Sequence, residues 1–206
     1  MNKEHELRGC DGKQRGAGRH RPTSFWMHDP AWVFDELKLR EGDTFADLGC
    51  GVGEYTLQAA NIVEPSGIVY ALDQQPALIE ELRMKIQIRG WTHVRAQVAD
   101  VTASLPIVDA SVDVCLLATV LHIPEVLALR TTLFAEVARI LKPGGRLAII
   151  ECKKQAMWFG PPLEMRVSAE EVEQIVRPWD FEKLSLVDLG SNYLIHFRTP
   201  PRQDAI

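Results

Sequence analysis

The stretch "TFADLGCGVGEYT", residues 44–56, decides how this chain is read. A short apolar run ends at Leu48, glycines follow at Gly49, Gly51 and Gly53, and a helix-compatible segment begins at Glu54. Strand, glycine turn and helix in that order leave backbone N–H groups at a helix N-terminus open to a ligand. The spacing then selects among ligands. A dinucleotide fingerprint needs G-x-G-x-x-G, with its third glycine inside the helix for close packing on the sheet. Here the pattern is G-x-G-x-G, and the third-glycine position of the dinucleotide pattern holds Glu54. A phosphate-binding loop needs a following Gly-Lys-Ser/Thr, which is missing.

What remains is an open turn preceded by a carboxylate, Asp47. An anion two residues ahead of the first glycine repels a pyrophosphate and attracts an ammonium or sulfonium group. The helix N-terminus near Glu54 favours a carboxylate. An amino-acid moiety carries both charges, and S-adenosylmethionine joins such a moiety to a sulfonium, a ribose and an adenine. That ligand needs further partners downstream. Asp73 ends the second apolar strand and can accept from both ribose hydroxyls; Asp100 ends the third and can accept from the adenine amino group, beside the Val101 backbone N–H. All three carboxylates fall at the C-terminal ends of strands, the edge where open α/β sheets bind ligands.

The rest of the chain supplies the sheet. In "HDPAWVFDELKL" (28–39), Asp29 is an N-cap and Pro30 suits the first helical position. Strands are expected over 44–48, 68–73, 93–100, 111–119 and 146–151, with helices over 54–63 and 76–89 and another opening at Pro124. Leu78, Leu82 and Ile86 mark one helical face, and Val126, Leu129, Leu133, Val137 and Ile140 form a second stripe that "LKPGG" (141–145) ends. Ser168 and Glu171 form a capping box. Strands over 181–189 and 193–199 follow, joined by Gly190-Ser191-Asn192, a link short enough to require an antiparallel hairpin. Alternating strands and helices predict an α/β fold with a mostly parallel sheet covered on both faces.

At this point the chain resembles the class I S-adenosylmethionine-dependent methyltransferases. The likeness runs from about Asp29 to Thr199 and rests on DLGCGVG (47–53), VYALD (69–73), VAD (98–100), LKPGG (141–145) and the closing hairpin. The resemblance implies a Rossmann-like three-layer sandwich with a seven-stranded sheet ordered 3-2-1-4-5-7-6, strand 7 antiparallel. It implies S-adenosyl-L-methionine as cofactor, held by Asp47, Gly49, Cys50, Gly51, Asp73, Asp100 and Val101, with Gln74 near the ribose or adenine. The chain is most similar to small single-domain members grouped with quinone-biosynthesis and arsenite methyltransferases.

Composition sets the outer bounds. A length of 206 residues suits one well-buried domain, and 46% hydrophobic with 25% charged residues is ordinary for a globular protein. The net charge of −5 disfavours nucleic acid as a partner. Residues 1–22 are an exception: six Lys and Arg against three acids make a basic, glycine-rich tail expected to be mobile, ahead of a single domain over 23–206. A nucleic-acid-binding arm is the weaker reading of that tail. Cys10, Cys50, Cys115 and Cys152 show no metal-finger spacing. With no signal-like apolar core and no apolar run near the ~18 residues of a membrane span, the protein is expected to be cytoplasmic.

The methyl acceptor is expected beyond the fourth and fifth strands. His122 follows "LLATVL" and stands where a general base would reach the transferable methyl; a structural, helix-capping histidine is the competing reading. Glu151 and Lys153 lie at or just past the fifth strand. Trp26 and His28 before the first helix, with Trp158 and Phe159 in the long 152–168 connection, are candidate lid residues over a small-molecule acceptor. The thiol cluster that arsenite chemistry needs is not evident. The alternative function is a non-catalytic S-adenosylmethionine-binding regulator or partner protein.

Overall fold

Asp29 and Pro30 start the first helix as their side chains require. In the computed structural model, which describes residues 23–201, helix α1 spans Pro30–Leu37. The Asp29 carboxylate accepts from the Ala31 N–H at 2.9 Å, and Pro30 sits where a missing N–H costs nothing. Strand β1 (Thr44–Leu48) enters the glycine turn and helix α2 (Glu54–Val63). Strand β2 (Ile68–Asp73) leads to helix α3 (Pro76–Ile88), and strand β3 (Val94–Val98) passes through a loop to strand β4 (Val112–Ala118). Helices α4 (Pro124–Ala128) and α5 (Arg130–Ile140) precede strand β5 (Leu141–Cys152). Helix α6 (Ala169–Val176) then leads to strands β6 (Glu182–Leu189) and β7 (Asn192–Arg198). The tail expected over residues 1–22 lies outside the described residues.

The sheet order is β3-β2-β1-β4-β5-β7-β6. Strands β1 to β5 pair in parallel, and β7 runs antiparallel to both β5 and β6. This is the expected Rossmann-like three-layer α/β fold. Strand order reverses between β1 and β4, so a crevice opens over their carboxyl ends. Side-chain alternation divides the core. On one face Val33, Leu37, Ala59 and Leu82 pack on Phe45, Val114 and Leu116. On the other, Leu133, Val137, Val172 and Val176 pack on Cys115, Leu117, Leu147 and Ile195.

Four local expectations need correction. The buried face of α3 is Ile79, Leu82 and Ile86; Leu78 turns toward the ligand edge instead. The second stripe is interrupted at Leu129, which has φ −102° and ψ 18° and is 50% exposed. Its N–H is shared between the Glu125 and Val126 carbonyls, a tightened turn that closes α4 before α5 begins. Thirdly, the "LKPGG" segment belongs to β5. Val112 pairs with Leu141, residues 142–145 bulge outward, and pairing resumes at Val114 with Arg146. The hairpin turn is also one residue shorter than expected, because Asn192 already pairs with Leu189.

Candidate functional site

A cleft of about 230 Å3 opens over the carboxyl ends of β1, β2 and β4. All eight residues expected at the cofactor line it: Asp47, Gly49, Cys50, Gly51, Asp73, Gln74, Asp100 and Val101. The turn is shaped by its own backbone. The Gly49 and Cys50 N–H groups both donate to the Leu72 carbonyl, at 2.7 and 2.9 Å, and the Gly53 N–H returns to the Cys50 carbonyl at 2.9 Å. Two glycines do different work. A Cβ at Gly49 (φ +78°) would lie 2.6 Å from Val120 Cγ2, whereas one at Gly51 (φ +54°) would project into open space. The first is needed for packing; the second leaves a cradle that a side chain would fill.

Asp47 is 1% exposed and accepts from the Thr56 hydroxyl at 2.5 Å. Burial pushes its carboxyl up to about 7, with the Asp73 charge adding to the rise and the Thr56 bond opposing it. Thr56 was invisible to motif reading; its signal is its place in the first turn of α2, which returns beside the end of β1. Asp73 accepts from the N–H groups of Gly51 and Gln75, each at 2.9 Å, so it is oriented by the turn and keeps acceptor capacity for a ligand. One oxygen of Asp100 is used by the Thr102 N–H and hydroxyl, at 2.8 and 2.7 Å, in an Asx-type turn. Leu78, Val120, Ile123 and Val126 add an apolar wall. Carboxylates for an ammonium and a ribose, an unobstructed turn and an apolar wall fit S-adenosylmethionine.

The segment before α1 closes one side. Thr23 and Ser24 line the cleft. The Thr23 hydroxyl and the Trp26 indole N–H both donate to Glu54, the first residue of α2. The Thr119 hydroxyl reaches Ser24 at 3.3 Å, and the His28 ring contacts the Tyr55 hydroxyl at 2.9 Å. Burial lowers the His28 pKa against the opposing charge of Asp29. Trp26 is 70% exposed and does not line the cleft.

Beyond β4, His122 is half-buried beside the cleft, one residue before the lining Ile123. Its Nδ1 lies 3.1 Å from Glu151 Oε2, while Glu151 Oε1 accepts the Leu121 N–H at 2.7 Å. Glu151 is fully buried. The 152–168 connection departs from the lid expectation. The buried Arg166 side chain donates to the carbonyls of Pro161, Lys153, Gln155 and Phe159, folding the loop on itself. Trp158 is 94% exposed and stands edge-on to Phe159, and neither lines the cleft. Lys153 pairs with Asp188 at 2.5 Å, away from His122. Among the described residues Cys115 and Cys152 stand apart: Cys115 pairs with Leu147, five strand positions from Cys152, or about 16 Å at strand rise. Among the described residues no group of His, Cys, Asp and Glu is arranged to hold a metal ion.

Residues 46–149 match the family described as a methyltransferase domain. The chain is 30% identical over 148 residues to an arsenite methyltransferase of Halobacterium salinarum, covering 71% of this chain and 34% of that protein. It is 30% identical over 138 residues to a demethylmenaquinone methyltransferase of Anoxybacillus flavithermus, covering 65% and 56%. It thus spans between a third and somewhat over half the length of these two relatives. A solved S-adenosylmethionine-dependent methyltransferase from Aquifex aeolicus has a TM-score of 0.76 at 29% identity, over 84% of this chain and 90% of that one. The family match runs from within β1 to within β5 and so takes in the glycine turn and all three strand-end carboxylates; the chain belongs to the class I S-adenosylmethionine-dependent methyltransferases, with S-adenosylmethionine as its cofactor.

Proposed function

We propose that residues 23–206 act as one domain that transfers a methyl group from S-adenosylmethionine to a small-molecule acceptor by in-line displacement, with His122 as general base. The observation that carries this reading is the convergence of Asp47, Asp73 and Asp100 on one cleft around an unobstructed Gly51. Asp47 would take the cofactor ammonium, Asp73 the ribose hydroxyls, and Asp100 with Val101 the adenine edge. Gln74 and Leu78 would flank the ribose and the base. When bound, S-adenosylmethionine supplies an electrophilic methyl group.

The chain's own task is then to hold the acceptor in line, worth ~7–11 kcal/mol in favourable cases. His122 would accept the proton that an oxygen, nitrogen or carbon acceptor gives up, adding roughly 10²–10⁴-fold. The acceptor would enter between the segment carrying Trp26 and His28 and the loop carrying Trp158 and Phe159, where the exposed Trp26 and Trp158 rings suit a partly apolar molecule. A cytoplasmic setting is supported by three unpaired, buried cysteines, Cys50, Cys115 and Cys152. Among the described residues no helix is long and apolar enough to cross a membrane.

Calorimetric titration with S-adenosylmethionine and its demethylated product, alongside NADH, tests the cofactor half. Micromolar binding of both sulfur compounds, weakened at least tenfold by Asp73→Ala, is expected. No binding by a folded protein would overturn it.

A further inference from the structure

The buried Glu151 carboxylate has no role in the cofactor cleft, yet it is the most completely enclosed acid near the acceptor side. It is 0% exposed at the end of β5. Three donors converge on it, all from the segment after β4: the Leu121 N–H at 2.7 Å, the His122 N–H at 3.4 Å and the His122 ring Nδ1 at 3.1 Å. Among the described residues, His122 is its only ion-pair partner. The other polar groups packed there are the Tyr193 phenol on β7, which donates instead to the Val167 carbonyl at 2.8 Å, and the buried Cys152 thiol. An enclosed carboxylate needs hydrogen-bond donors, and here two of the three come from His122, its ring and its backbone N–H.

We infer that Glu151 is a positioning residue that holds His122 as the Nδ1–H tautomer and leaves Nε2 unprotonated toward the acceptor. This rests on the reading of His122 as the base. The division of the two oxygens makes the geometry specific. Oε1 is committed to the β4–α4 backbone, which fixes the carboxylate plane; Oε2 is then presented to the ring, and an ionised carboxylate there can only accept. A neutral imidazole facing it must carry its proton on Nδ1. The lone pair falls on Nε2, and the His122 side chain keeps 20% of its surface exposed. The same carboxylate stabilises the imidazolium formed when Nε2 takes a proton, with no reorganisation at the moment of transfer.

Glu151→Gln separates this role from that of a structural staple. The amide oxygen can still accept the Leu121 N–H, so the link between β5 and the β4–α4 segment survives. The amide NH2 then faces the ring, Nδ1 must become the acceptor, and the imidazole proton moves to Nε2. Long-range 15N–1H correlation spectra of the full-length, 15N-labelled protein report the tautomer of each ring, with the His122 signals assigned by their loss in His122→Gln. The expected result is an Nδ1–H ring in the wild type and an Nε2–H ring in Glu151→Gln. S-adenosylmethionine binding measured by calorimetry should change less than twofold, because Glu151 does not line the cofactor cleft. An Nε2–H ring in the wild type, or the same tautomer in both proteins, overturns the assignment. Should Glu151→Gln fail to fold, the wild-type spectrum alone decides. Absence of cofactor binding by the wild type would refute the proposed function, whereas the tautomer is read without any substrate.

Discussion

Asp47, which the proposed function sets against the cofactor ammonium, sits where cofactor charge and protein burial conflict. Held at about 7 by burial, it is largely protonated in the cofactor-free protein below that pH, whereas an ammonium group prefers the carboxylate. On that proposal, binding below pH 7 releases a proton. Affinity for S-adenosylmethionine should rise as pH increases toward 7 and then level off, by up to tenfold per unit on the acid side. Calorimetry in two buffers of different ionisation heat measures it directly: close to one proton released at pH 6 and close to none at pH 8. A release that is the same at both values would mean another group carries the linkage. The adjacent glycines make a second, separable prediction. Gly49→Ala forces a Cβ against Val120 and should cost about 2 kcal/mol of stability. Gly51→Ala meets no protein atom, so its cost is the left-handed backbone alone, about 1 kcal/mol, but it should lower cofactor affinity at least tenfold. Chemical denaturation and calorimetry on the two variants would expose the contrast, and equal affinities would remove Gly51 from the cofactor path.

Elements were legible wherever the signal was local. β1, α2 and β2 have the expected boundaries because each is framed by adjacent punctuation: Gly42-Asp43, the glycine turn, and Pro65 to Gly67. The cofactor half of the cleft was legible for the same reason, since its carboxylates stand at strand ends. What stayed hidden depends on partners far along the chain. The β5 bulge is set by Val112 and by Thr199, whose hydroxyl donates to the Lys142 carbonyl at 2.7 Å and whose N–H donates to the Gly145 carbonyl at 2.8 Å. The course of the 152–168 loop is dictated by Arg166, and that of residues 23–28 by Glu54; no periodicity encodes either. The bulge is testable. A Cβ at Gly145 would lie 2.7 Å from the Lys142 carbonyl oxygen and 3.2 Å from that of Val112, both backbone atoms that cannot step aside. Gly145→Ala should cost about 2 kcal/mol, lowering the melting temperature by about 4–8 °C. Gly144→Ala next to it has free space, and its φ of +75° should cost about half as much. Equal melting temperatures for the two variants would show that the bulge yields instead of clashing.

Across the whole molecule, two buried groups on different strands set opposing pH dependences. His196 on β7 is 3% exposed, and burial, aided by the Arg146 charge, lowers its pKa to about 4. The unfolded chain therefore binds a proton between about pH 4 and 6.5 that the folded one does not, so this residue makes stability fall as pH drops through that window. Asp47 acts in reverse. With its folded value raised to about 7, the folded protein holds a proton that the unfolded chain has lost, and stability falls as pH rises from about 4 to 7. Each slope alone is a little over 1 kcal/mol per pH unit, and over their shared range they nearly cancel. The cofactor-free protein should accordingly show almost the same stability at pH 4.5, 5.5 and 6.5 in urea denaturation, as far as these two groups govern it. Substitution would uncover each slope. His196→Leu should leave a protein that weakens with rising pH; Asp47→Asn, which keeps an acceptor for Thr56, should leave one that weakens with falling pH. Saturating S-adenosylmethionine favours the ionised Asp47, removes its proton uptake and should turn the wild type toward the behaviour of Asp47→Asn. Parallel curves for all three proteins would refute the cancellation. Opposite tilts would show that burial of one acid for the cofactor is offset in the fold by burial of one base.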